Sequence, residues 1–216
     1  MKLKTLLTLA AISVSAQASV VSLVGYNFTG NLADADGGIG TGTASAFDPG
    51  TGGVSALRVR FRDDWTTSTA ANASALDATF SYTVGADTET TLDSFTFDYT
   101  NDIGTGNSNF GIAFYASTDG TNYTLIGDET TGGLDSVVTN LSMDLTSFNA
   151  GASYTTGDTL YFGFSVYDAT SLSTRYHYID TLRLKGTEVV TATVPEPSAI
   201  ALLGLGGLAL FSRRKR

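Results

Sequence analysis

The chain has 216 residues, with 12 Lys and Arg against 21 Asp and Glu, a formal charge of −9 and no cysteine. The acidic balance argues against a nucleic-acid binder, and the missing cysteines exclude disulfides, thiolate metal sites and cysteine nucleophiles. One histidine excludes a His-cluster metal centre within one chain, while 12 Phe, 10 Tyr and 1 Trp provide for an aromatic core that a disordered polar chain lacks.

Residues 1–18 have the three parts of a secretory signal peptide. Lys2 and Lys4 form the positive start, Leu6 to Val14 an apolar run, and Ala16-Gln17-Ala18 a small-x-small site that places cleavage after Ala18. The apolar run is too short to span a bilayer. The expectation is an exported chain beginning near Ser19.

Next comes Asp34-Ala35-Asp36-Gly37-Gly38, two carboxylates two apart in a glycine loop. Asp34 and Asp36 give a partial calcium-loop pattern, but the full ligand spacing is absent. A plain acidic turn is the alternative to a structural calcium.

From there period-two alternation recurs, the mark of half-buried strands. Leu57, Val59 and Phe61 alternate with Arg58, Arg60 and Arg62; Ala78, Phe80, Tyr82 and Val84 alternate with Thr79, Ser81 and Thr83. The arginine face suits cross-strand pairing with the abundant Asp better than an anion site. Phe95, Phe97 and Tyr99 form the next apolar face, then Phe110, Ile112 and Phe114, then Tyr123–Ile126 after a turn at Asp119-Gly120. Leu141, Met143 and Leu145 follow, then Leu160, Phe162, Phe164 and Val166, and last Ile179–Leu184. Gly/Asn/Asp-rich stretches separate the runs, and no window shows sustained helical period. The expected fold is all-β: an antiparallel β-sandwich, jelly-roll-like, over residues 19–186, with a linker at 187–193. Residues Tyr115–Tyr123 resemble the Ser-x-Asp-Gly hairpin of bacterial extracellular jelly-roll modules, which speaks to fold only.

Enzymatic constellations are sparse. Glu89, Glu129, Glu188 and Glu196 are the only glutamates, and none forms a close acid pair on one strand of the kind glycoside hydrolysis uses. Asp93, Asp98 and Asp144 read as outward strand positions. His177 would have to serve any Ser-His-Asp triad, and Gly106-Asn107-Ser108-Asn109-Phe110 lacks the closing glycine of a nucleophile elbow. The pattern at Gly204–Ala209 that imitates a dinucleotide motif lies in an apolar tail with no strand before it. Trp65, Tyr161 and Tyr167 are the candidate sugar-stacking rings, with core or rim packing as the alternative. Asn27, Asn72, Asn122 and Asn140 each open an N-x-Ser/Thr sequon, as chance allows in so Ser/Thr-rich a chain.

The C-terminus is the most distinctive segment. Val194-Pro195-Glu196-Pro197-Ser198 precedes the apolar run Ala199–Phe211, and Arg213, Arg214, Lys215 and Arg216 close the chain. An apolar run followed by cations is a stop-transfer pattern, though this one is short for a spanning helix. The order of Pro195, Glu196, Pro197, apolar segment and basic end resembles the PEP-CTERM sorting signal. The resemblance covers only the tail. It implies recognition and processing by an exosortase-type membrane enzyme, a transient stay in the inner membrane through a hydrophobic sorting helix, and final delivery to the cell surface or medium of a Gram-negative-type bacterium that makes extracellular polysaccharide.

Without its two ends the chain keeps six cations against all 21 acids, near −15 for residues 19–196. Such a charge repels nucleic acid and anionic polymers and is compatible with neutral glycans. The expected role is a non-enzymatic matrix or adhesion component associated with exopolysaccharide. A carbohydrate-binding module is the alternative, and a glycoside hydrolase the third reading.

Overall fold

The structure, a computed structural model, describes residues 18–28, 40–49, 53–55, 58–62, 76–101, 108–132, 139–168 and 176–191. The strands are β1 (Ser19–Tyr26), β2 (Thr43–Ala44), β3 (Gly53–Ser55), β4 (Arg58–Arg62), β5 (Ala78–Thr83) and β6 (Thr88–Asn101). They continue as β7 (Ser108–Ser117), β8 (Thr124–Gly132), β9 (Thr139–Asp144), β10 (Tyr154–Thr155), β11 (Thr159–Asp168) and β12 (Tyr176–Val190).

They form a seven-stranded and a five-stranded antiparallel sheet. The pairings nest: β7 with β8, β6 with β9, β5 with β11, and β4 with β12. A long ribbon of antiparallel pairs wrapped into two sheets in this way is a jelly roll, as expected from the sequence. The remaining strands join this ribbon: β1 on β12, in line with β4, and the short β2 on β5, β3 on β4 and β10 on β6.

The alternating apolar faces meet between the sheets. Ala78, Phe80 and Tyr82 of β5, Phe95, Phe97 and Tyr99 of β6, and Leu160, Phe162, Phe164 and Val166 of β11 are all buried. Phe95 stacks on Phe114 with ring centroids 4.1 Å apart, and Phe80 on Phe162 at 5.0 Å. Offset ring pairs of this kind add about 0.5–1.5 kcal/mol each beyond their buried area.

The longest strand serves two partners in turn along one edge, and an irregularity falls at the changeover. β12 pairs with β4 through Tyr176–Ile179 and with β1 through Leu182–Glu188. Between them lies a bulge, with Thr181 in the left-handed region at φ 48 and its N–H on the Asp180 carboxylate at 2.8 Å. The extra residue moves the buried positions from Ile179 to Leu182 and Leu184, so the apolar phase survives the change of neighbour.

Two expectations need correction. The linker does not begin at Thr187: β12 continues to Val190, with Thr187–Val190 paired to Thr88–Thr91 of β6. Thr/Val-rich composition suits a strand as well as a tether, and Gly186 is needed for packing, since a Cβ there would collide with the Thr91 carbonyl oxygen. β1 has no counterpart among the expected strands. Its shift between Ser22 and Val24 buries both Leu23 and Val24 and so breaks the period-two pattern.

The strand directions give the sandwich two distinct ends. One carries the β5–β6 and β7–β8 turns, the β9–β11 connection, Ser19 and the C-terminus of β12. The other carries the opposite strand ends, at Arg62, Asn101, Ser108, Gly132, Thr139, Asp168 and Tyr176.

Candidate functional site

The β7–β8 turn, Ser117-Thr118-Asp119-Gly120-Thr121-Asn122, is held by one carboxylate. Asp119 Oδ1 accepts from the Thr121 N–H at 2.8 Å, the Asn122 N–H at 2.7 Å and the Ser117 hydroxyl at 2.9 Å. Its Oδ2 accepts from Asn122 Nδ2 at 2.6 Å. The Asn122 N–H foremost, then its side-chain amide, hold the Asp119 carboxyl well below the usual range by favouring the charged form. Gly120 supplies the positive φ of 72 that closes the turn.

Facing it is the connection after β9. Asp144 accepts from the Thr146 hydroxyl at 2.7 Å and N–H at 2.8 Å, which lowers its pKa as well. A 3-10 turn follows at Phe148–Gly151, with Phe148 buried. Asn149, Ala150 and Gly151 then stand in succession at φ 48, 57 and 71, an unfavourable conformation for a residue with a Cβ.

A groove of about 220 Å³ lies between the two turns. Ser117, Thr118, Asn122, Thr124, Ser147 and Asn149 contribute hydroxyls and amides, Leu125, Ile126 and Phe148 apolar surface, and among the described residues no charged side chain lines it. Such a lining suits a neutral, hydroxyl-rich molecule with an apolar ring face.

Tyr161 of β11 lies beside this site, opposite Ser117 in the register. It is half-buried, because the Gly120 backbone covers its ring: a Cβ at Gly120 would lie 3.2 Å from it. Tyr123, also half-buried, has its hydroxyl pKa raised by desolvation first, then by Tyr161 and Asp119. It packs with Leu76 against buried Ala113 and Tyr115, a small apolar cluster apart from the main core. The expected platform ring is therefore partly covered. Only the backbone of Tyr167 is described, and Trp65, Asp34 and Asp36 lie outside the described residues. So do Ala16 and the rest of the signal segment before Ala18, and Pro195, Glu196, Pro197, Arg213, Arg214, Lys215 and Arg216. Among the described residues no three His, Asp or Glu side chains gather for a metal. Two sequon amides are already engaged, Asn122 Nδ2 with Asp119 and Asn140 Nδ2 with Asp98 at 3.0 Å.

One polar site escaped the sequence reading. Glu188, at 7% exposure, accepts from the Tyr82 hydroxyl at 2.8 Å and from the Thr41 N–H at 3.1 and 3.2 Å. It ties the two sheets together and clamps the segment before β2. Burial, then Glu188, push the Tyr82 hydroxyl pKa up. A lone glutamate in Thr/Val-rich sequence carries no sign of this; only the strand register reveals that it points inward.

Several solved structures resemble the fold at low identity. They include a CBM4 domain (10% identity, TM-score 0.33, covering 68% of this chain and 94% of that one) and the CBM22-1 xylan-binding domain of Paenibacillus barcinonensis Xyn10C (10%, 0.34, 83% and 100%). A third is the C-terminal family 22 carbohydrate-binding module of Clostridium thermocellum Xyn10B (16%, 0.28, 80% and 96%). No curated protein matches the chain. At the C-terminus residues 193–216 match the PEP-CTERM protein-sorting motif. This chain carries a PEP-CTERM sorting domain behind a β-sandwich, and the signal marks it as an exported surface protein that passes through a membrane-associated step.

Proposed function

We propose that the protein is a non-enzymatic component of an extracellular polysaccharide matrix, exported behind a cleaved signal peptide and holding neutral glycan through the groove between the β7–β8 turn and the Phe148–Gly151 turn. The uncharged hydroxyl and amide lining of that groove carries the reading, since a sugar ring offers hydroxyls at its rim and an apolar face for the exposed Leu125. Its volume suits a single ring rather than a long stretch of polymer.

The hydrolase reading has less support. Glycosidases need a carboxylic acid whose pKa is raised. Asp119 and Asp144, which flank the groove, are both shifted down and occupied by turn hydrogen bonds. The buried Glu188 is engaged by Tyr82 and Thr41.

Affinity electrophoresis of the purified protein in gels cast with the host's own exopolysaccharide tests the reading. Retardation is expected, reduced severalfold by Asn149→Ala and Thr124→Ala, with no release of reducing sugar. Full retardation by both variants removes the groove from the function. Release of reducing ends revives the hydrolase.

A further inference from the structure

The fold ends very close to the sorting motif. β12 stops at Val190, and Thr191 is still fixed, its N–H donating to the Asp87 carbonyl at 2.7 Å. Only Ala192, Thr193 and Val194 then precede Pro195. A chain advances at most about 3.6 Å per residue, so Pro195 lies within about 14 Å of Thr191.

The tether cannot be lengthened cheaply. β12 lies inside the seven-stranded sheet, between β6 on one side and β4 with β1 on the other. Freeing its last residues would break the pairing with β6 and β1 and expose Glu188 and its partners. An enzyme acting at the motif therefore meets a folded sandwich within one small-domain radius of its own active site.

The surface it meets has a definite character. The end around Thr191 is formed by the β5–β6 turn, the Thr155–Asp158 turn before β11 and the start of β1. Asp87 and Asp158 are exposed there and Glu89 is half-buried. The nearest described cation along β12 is Lys185, five positions before Val190. An anionic bilayer would repel such an end.

We propose that this end of the sandwich is a docking surface for the membrane-embedded processing enzyme that reads the sorting motif, and that the enzyme meets it with a basic rim. The short tether forces the contact, and the acidic turns set its electrostatics. Processing then depends on where the fold stops as well as on Pro195, Glu196 and Pro197.

The experiment follows the full chain in its own host by precursor accumulation and C-terminal mass. Deleting Ala192–Val194, which joins Pro195 to Thr191, should abolish processing and leave precursor in the membrane. Inserting about ten Gly/Ser residues after Thr191, a flexible coil, should leave processing intact. Asp87→Asn with Glu89→Gln removes two charges while respecting the positive φ of Asp87, which Asn tolerates. At native spacing this pair should slow processing severalfold; behind the long spacer it should have no effect. The long-spacer comparison involves no deletion, so it reads the docking even if the shortened chain misfolds. Wild-type processing of the deletion overturns the proposal. So does a charge effect that is absent at native spacing, or equally large in both spacings.

Discussion

Glu188, near the end of β12, and Asp119, in the β7–β8 turn, each gather several hydrogen bonds, yet one is buried between the sheets and the other stands in water. Glu188 draws the Tyr82 hydroxyl from the opposite sheet and a backbone N–H from the segment before β2, so its partners lie far apart in sequence. Asp119 draws its partners from residues 117–122 alone. The number of bonds is similar, but the consequence of losing them is not. Around Asp119 water can replace the carboxylate. Around Glu188 the abandoned tyrosine hydroxyl has little access to water, and burial without a partner costs about 1–3 kcal/mol per group.

The largest effect should therefore come from Glu188→Ala. Loss of its bonds, with Tyr82 left unsatisfied, is expected to lower unfolding free energy by about 3 kcal/mol, read from the denaturant midpoint of the purified protein. A change below about 0.5 kcal/mol, the usual size for surface substitutions, would mean that the tie between the sheets does not form in solution.

Tyr82→Phe should follow, at about 2 kcal/mol, the typical contribution of a hydrogen bond to a charged group. It also has a pH signature. The Tyr82 hydroxyl pKa is raised above its ordinary value of 10.0 by burial, then by Glu188, and that of Tyr26 is raised by burial. A raised folded pKa contributes stability that is fully present below the unfolded value and lost as pH rises beyond it. The protein should thus lose stability above about pH 10. Tyr82→Phe should shrink that loss, with Tyr26, Tyr123 and Tyr154, all raised by burial first, keeping the remainder. An unchanged alkaline limb would show that Tyr82 ionises as freely folded as unfolded.

The same contrast explains what the sequence makes legible. Ser117-Thr118-Asp119-Gly120 announces a turn because hydroxyl, carboxylate and positive φ all act within six residues. The alternation of Phe80, Phe95, Phe97, Phe114, Phe162 and Phe164 announces the core for a similar reason, since period two is a property of one strand. Glu188 depends on a register fixed by its neighbouring strands, and nothing near it in sequence hints at Tyr82. The stretch from Asn149 onward reads as a turn, and asparagine suits the left-handed region, but the left-handed Ala150 is silent because alanine disfavours that conformation. The groove combines one legible wall with one that is only partly legible. Tyr161, expected on the outer face of β11, is half-covered by Gly120 because a turn from the neighbouring hairpin folds over it.

Asp119→Asn should have the smallest effect on stability at neutral pH, smaller than Tyr82→Phe, because its surroundings are solvated. Its effect belongs to acid. The Asp119 carboxyl is held below its ordinary value by the Asn122 N–H, the Asn122 amide, the Thr121 N–H and the Ser117 hydroxyl. A depressed folded pKa contributes stability that is present above the unfolded value and lost as pH falls through the folded one. Melting temperature should therefore decline from about pH 5 downward in the wild type, with Asp144 contributing in the same direction through its Thr146 bonds. Asparagine keeps one oxygen for the backbone N–H groups but does not titrate, and its amide cannot accept from Asn122 Nδ2. Asp119→Asn should thus start slightly less stable and lose less on acidification, so that the two melting curves converge at low pH. Parallel curves would mean that the turn opens in solution, and the groove would lose the wall formed by Ser117, Thr118 and Asn122. Convergence would show that a wholly exposed carboxylate can order a binding wall through local bonds alone, where the opposite wall needs a buried phenylalanine.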